Sequence, residues 1–114
     1  MNMPITEPAM LFALLLGWHA LADYPLQGDF LATAKNHTTD IGKELWVWAL
    51  PSHGLIHGAG VAVLTGSVLL GLAETFAHVF IDRAKCEGWI SFSVDQALHI
   101  GCKVIWLLAV IAVS

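Results

Sequence analysis

Glu74, His78 and Asp82 stand at four-residue steps inside an apolar stretch, Glu-Thr-Phe-Ala-His-Val-Phe-Ile-Asp. Residues four apart lie above one another on a helix, so one stripe carries three groups able to bind a metal or move a proton. The same step separates His19 from Asp23, His53 from His57 and Asp95 from His99. Imidazole nitrogen and carboxylate oxygen are the donors that zinc, iron and manganese accept. We therefore read His19, Asp23, His53, His57, His78, Asp82, Asp95 and His99 as a metal-ligand set, with zinc the first choice of divalent ion and iron or manganese next. Because the set exceeds a single tetrahedral shell, two ions are expected rather than one. Glu74 is expected to act as general base or to complete the shell, and Gln27 and Gln96 to hold ligands in place from behind.

These residues lie in a chain whose composition is that of a membrane protein. It is 57% hydrophobic and 12% charged, with a mean hydropathy of +0.71, against roughly 45–50% apolar and about 25% charged in soluble domains. A length of 114 residues holds about four spans of ~20 residues and little else. The expected fold is all-α, an integral membrane four-helix bundle forming one domain. Its neighbouring spans are antiparallel, and a His/Asp/Glu layer lies towards one side. The spans are placed at 8–24, 44–65, 68–86 and 93–114, with a polar, interfacial loop over 26–43.

Local signals set those limits. Thr6-Glu7-Pro8 reads as a helix start, and Pro25 as its stop. A short amphipathic piece around Phe30, Leu31 and Ala32 would lie on the membrane surface. Pro51 either kinks span two or opens it. Thr65-Gly66-Ser67 is the expected hairpin, Gly88 a helix stop, and Ser93 with Gln96 a capping box. Gly54 and Gly58 form a small-x-x-x-small pair that admits a neighbouring helix. His37 has no partner at helical spacing and is read as a solvated loop residue. Cys86 and Cys102 are too few and too far apart for a zinc motif or a disulfide framework.

The polar pairs fall late in span one, early in span two, late in span three and early in span four. With consecutive spans antiparallel, all four reach the same side. An intramembrane carboxylate costs roughly 2.5–3.5 kcal/mol to insert, so a converging set needs a compensating cation or proton. Asp82, next to Arg83 and Lys85, also permits a simple interfacial ion pair.

Taken together, His19-x-x-x-Asp23 followed by Pro-Leu-Gln27, His53-x-x-x-His57-Gly58, His78-x-x-x-Asp82-x-x-Lys85 and Asp95-Gln96-x-Leu98-His99 resemble the pattern of domain-of-unknown-function family 3307. These are small bacterial and phage membrane proteins. The resemblance covers nearly the whole chain and implies a multi-span inner-membrane protein with these polar positions as its signature. It implies no activity.

Lys35, Lys43, Arg83 and Lys85 all lie towards the polar-layer side. The positive-inside rule then places loops 26–43 and 86–92 in the cytoplasm and both termini across the membrane. The functional expectation is a metal-dependent membrane hydrolase, in which the metal acidifies water to supply a nucleophile near pH 7. Oxidative di-iron chemistry ranks below it, since the chain has fewer His than membrane desaturase-like enzymes use. The alternatives from other classes are a divalent-cation or proton transporter and a non-enzymatic phage or bacterial membrane-interaction protein. Against transport, the far halves of the spans are almost free of polar side chains. The expected partners are the lipid bilayer, a metal ion and further copies of the chain. No basic run suggests nucleic acid.

Overall fold

The computed structural model describes residues 7–113, so the Thr6 hydroxyl expected to cap the first helix lies outside the described residues. Glu7 performs that role: its carboxylate accepts hydrogen bonds from the Ala9 and Met10 amides, with Pro8 in the first turn. All regular structure among the described residues is helical. The elements are α1 (Pro8–Asp23), α2 (Gly28–Ala34), α3 (Gly42–Thr65), α4 (Val68–Cys86) and α5 (Phe92–Val113).

The segment 26–43, expected as a polar, interfacial loop with a short amphipathic piece around Phe30, Leu31 and Ala32, contains α2, which includes those three residues, and the first two residues of α3. Pro25 has no amide hydrogen to continue α1, and α2 leaves it at an angle of 82°. Lys35 follows α2 and is buried, where the sequence placed it in a cytoplasmic loop. His37 is not a solvated loop residue either. Its Nε2 lies 2.6 Å from Glu87 Oε1, and its ring meets Trp46 edge-on. This partner is 50 residues away, beyond any helical spacing.

Pro51 lies within α3, which runs continuously through it, and the Ser52 hydroxyl donates to the Trp48 carbonyl beside it. The turn between α3 and α4 depends on Gly66, whose φ of 72° is left-handed and open to glycine without strain. Ser67 then caps α4, its Oγ accepting from the Leu70 amide. The expected Ser93–Gln96 capping box does not form. Because α5 already begins at Phe92, it is Ser91 Oγ that accepts from the Val94 amide, and the Gln96 side chain turns inward.

Four helices pack in cyclic order, α1 on α3, α3 on α4, α4 on α5 and α5 on α1, while α2 rests on α3. The α3–α4 contact is the most intimate. Thr75 and the Gly71 carbonyl occupy the space where Gly58 would carry a side chain. Towards the α3–α4 turn the interior is apolar, with Leu11, Leu15, Val61 and Val110 fully buried and Leu64, Leu70, Trp106 and Leu107 against them. Towards the opposite end the interior is polar.

The outer surface inverts the usual pattern. Phe76, Phe80, Leu69 and Val63 are exposed while His53, His57, His78 and Glu74 are wholly buried. Such a distribution suits apolar surroundings. Two helices, α3 and α5, are long and apolar enough to cross a membrane, and the bent pair α1–α2 meets the same criterion when taken together.

Candidate metal centre

The polar layer is assembled from α1, α3, α4 and α5. Asp23 closes α1. His53 and His57 occupy one stripe of α3, Glu74, His78 and Asp82 one stripe of α4, and Asp95 and His99 one stripe of α5. Four-residue spacing turns each set towards the interior, and the cyclic packing makes the stripes meet.

At the centre, Asp23 Oδ1 lies 3.0 Å from His57 Nε2, 3.2 Å from His53 Nε2 and 3.8 Å from His78 Nε2. Four donors each about 2.0 Å from a tetrahedral ion stand about 3.3 Å from one another. These separations bracket that value, and one donor atom from each of the four residues lies within 4.8 Å of the other three. His78 Nε2 is buried with no hydrogen-bond partner; Asp23 Oδ1 and Asp82 Oδ2 are each 3.8 Å away. A buried donor or acceptor left unpaired is costly, and an ion within this quartet would engage it. Asp23, His53, His57 and His78 are therefore able to hold a metal ion.

Glu74, His78 and His99 form a second group, in which one donor atom from each residue lies within 4.8 Å of the other two. Its surroundings differ. Glu74 Oε1 accepts a hydrogen bond from Lys103 Nζ and faces Trp106 Nε1 at 3.4 Å, while Oε2 lies 3.9 Å from His78 Nδ1 without a partner. The imidazoles themselves are stacked. The His57 and His78 rings are 3.7 Å apart and the His78 and His99 rings 4.1 Å. His78 is thus the member common to both groups.

The remaining predicted residues surround the quartet. His19 Nε2 lies 3.1 Å from Gln96 Oε1 and 3.4 Å from Asp23 Oδ2. The Gln96 amide donates to Asp23 Oδ2 and to Asp95 Oδ2, both at 3.0 Å, and so ties α5 to the end of α1. Asp95 Oδ1 faces His99 Nε2 at 3.4 Å. Asp82 does not pair with Arg83 or Lys85. Its Oδ2 accepts from Lys35 Nζ at 2.7 Å and lies 3.6 Å from His53 Nε2. Arg83 instead pairs with Glu87 and covers the Trp46 ring. Gln27 Oε1 is buried without a partner.

Two lysines stand in this layer that the sequence reading did not place there. Lys103 is four residues beyond His99, so Asp95, His99 and Lys103 repeat the step of Glu74, His78 and Asp82; that spacing was the available signal. For Lys35 no local spacing pointed inward, because its partner is on α4, 47 residues away.

A cavity of about 70 Å³ opens onto the layer, lined by Asp23, Gln27, Lys35, Asp82, Lys85, Asp95, Gln96 and His99 among others. This volume accommodates a few water molecules. Neither Glu74 nor Lys103 lines it.

Residues 10–114 match the family described as protein of unknown function (DUF3307), and the chain belongs to that family. No curated protein and no solved structure matches the chain.

Proposed function

We propose that this member of the family is an integral inner-membrane metalloprotein, a four-helix bundle of antiparallel spans. Asp23, His53, His57 and His78 hold a divalent transition metal, zinc in the first instance, near the cytoplasmic face. The observation that carries the reading is the approach of three imidazole nitrogens to Asp23 Oδ1 at tetrahedral spacing. His19, Asp82, Asp95 and His99 surround that quartet, with Gln96 bracing Asp23 from α5.

The chemistry that fits is hydrolysis. An ion that took water as a fifth ligand beside these four donors would lower the pKa of that water towards 7. The polar cavity gives water access to Asp23, and the Asp95–His99 pair, joined at 3.4 Å, lines the same cavity and is placed to take up a proton. Glu74 is set back from the cavity and serves Lys103. The site admits substrates whose scissile group reaches the interface, such as lipid head groups, phosphate esters or peptides.

Transport is the rival reading, and the apolar plug of Leu11, Leu15, Val61 and Val110 opposes it, because no polar side chain among these carries a cation onward. Reconstitution separates the two. Zinc-loaded protein in liposomes is expected to show metal-dependent hydrolysis of an ester or phosphoester panel and no zinc, manganese or proton flux. Flux abolished by His78→Ala, without hydrolysis, would replace the hydrolase with a carrier. Orientation is tested separately in a Cys86→Ser/Cys102→Ser background. Asp40→Cys is expected to react only with reagents that enter the cytoplasm, and Ser67→Cys with impermeant ones from outside.

A further inference from the structure

We propose that Lys103 is a built-in cation that takes the place of a second metal, so that the centre carries one divalent ion and not two. The inference rests on the reading of the quartet as a metal site and concerns how many ions the layer accepts.

Two observations carry it. The first is local. The Glu74, His78 and His99 group has the donors and the spacing for an ion of its own, yet the carboxylate that would anchor that ion already accepts the Lys103 ammonium at Oε1, within hydrogen-bonding reach of the Trp106 indole. Lys103 and Glu74 are both fully buried. An ammonium on Glu74 repels a divalent ion next to it, and in a poorly screened interior that repulsion is large.

The second is the charge balance of the predicted ligands, Glu74 and the two lysines paired with them. With neutral imidazoles, Asp23, Glu74, Asp82 and Asp95 bring four negative charges, and Lys35 and Lys103 bring two positive ones. Two negative charges remain. One divalent ion neutralises them, whereas two ions would leave a doubly positive interior among exposed Phe and Leu side chains. The sequence expectation of two metals counted ligands without counting lysines.

Removing the ammonium should open the second position, with His78, common to both groups, releasing its ring proton to solvent and bridging the two ions as an imidazolate. The test is metal content per chain by elemental analysis after zinc loading and desalting, on folded wild type, Lys103→Met and Glu74→Gln/Lys103→Met. Lys103→Gln, which keeps a hydrogen-bond donor for Glu74, takes the place of Lys103→Met if that variant does not fold. The expected values are one ion for wild type, two for Lys103→Met or Lys103→Gln, and one again for the double variant. Two ions in wild type, or one in the folded Lys103 variant, would overturn the role of Lys103 while leaving the quartet intact. No ion in any of the proteins would overturn the quartet itself and the inference with it.

Discussion

Lys35 Nζ, just beyond the end of α2, lies 2.7 Å from Asp82 Oδ2 on α4, and both side chains are almost wholly buried. This pair anchors the short helix that leaves α1 at 82° and closes one side of the cavity. Removing one partner of a buried pair strands the other charge, at a cost of about 3–5 kcal/mol. Lys35→Met should therefore destabilise the protein by roughly that amount, and Lys35→Met/Asp82→Asn should recover most of the loss. Unfolding in detergent across this double-mutant cycle measures the coupling. Additive effects of the two substitutions would show that the pair contributes nothing.

Gln96 links Asp23 to Asp95 through its amide and meets His19 through its oxygen. Groups that orient ligands from behind typically change metal affinity by about 10–100-fold when removed. Gln96→Leu is expected to weaken zinc binding to that extent with helicity unchanged. Competition with a chromophoric chelator reads it, and unaltered affinity would exclude Gln96 from the site.

The contact between α3 and α4 admits no side chain at Gly58. A Cβ there would stand 1.9 Å from Thr75 Oγ1 and 2.5 Å from the Gly71 carbonyl oxygen. Overpacking of this kind costs about 1–3 kcal/mol, and Gly58→Ala should lower thermal stability accordingly. Thr75→Ala in the same chain should restore only part of it, since the Gly71 carbonyl is backbone. Full restoration would place the whole clash on the Thr75 side chain.

The parts of the site that could be read from the sequence are those that obey a helical period. Glu74, His78 and Asp82, together with the pairs on the other helices, face inward as their spacing requires, and the Gly54–Gly58 step meets α4 as a small-residue pair should. The rest depended on partners far along the chain. Lys103 continues the Asp95–His99 stripe but reads as a single charge in an oily helix until Glu74 is seen opposite it. Lys35 reads as a loop lysine because its carboxylate lies on another helix. Gln96 follows Ser93 at capping distance, and only the start of α5 one residue before Ser93 frees it for the interior. The seven residues of α2 include the amphipathic piece read at Phe30, Leu31 and Ala32, but they are too few to fix its bounds or its 82° angle to α1.

The central claim is that Asp23, His53, His57 and His78 bind a metal ion, and elemental analysis of the purified chain tests it most directly. Wild type should carry a divalent transition metal or rebind zinc after chelation, His78→Ala and His57→Ala should lose it, and all three proteins should retain their helical content. A folded wild type that neither contains a metal nor takes one up would contradict the account.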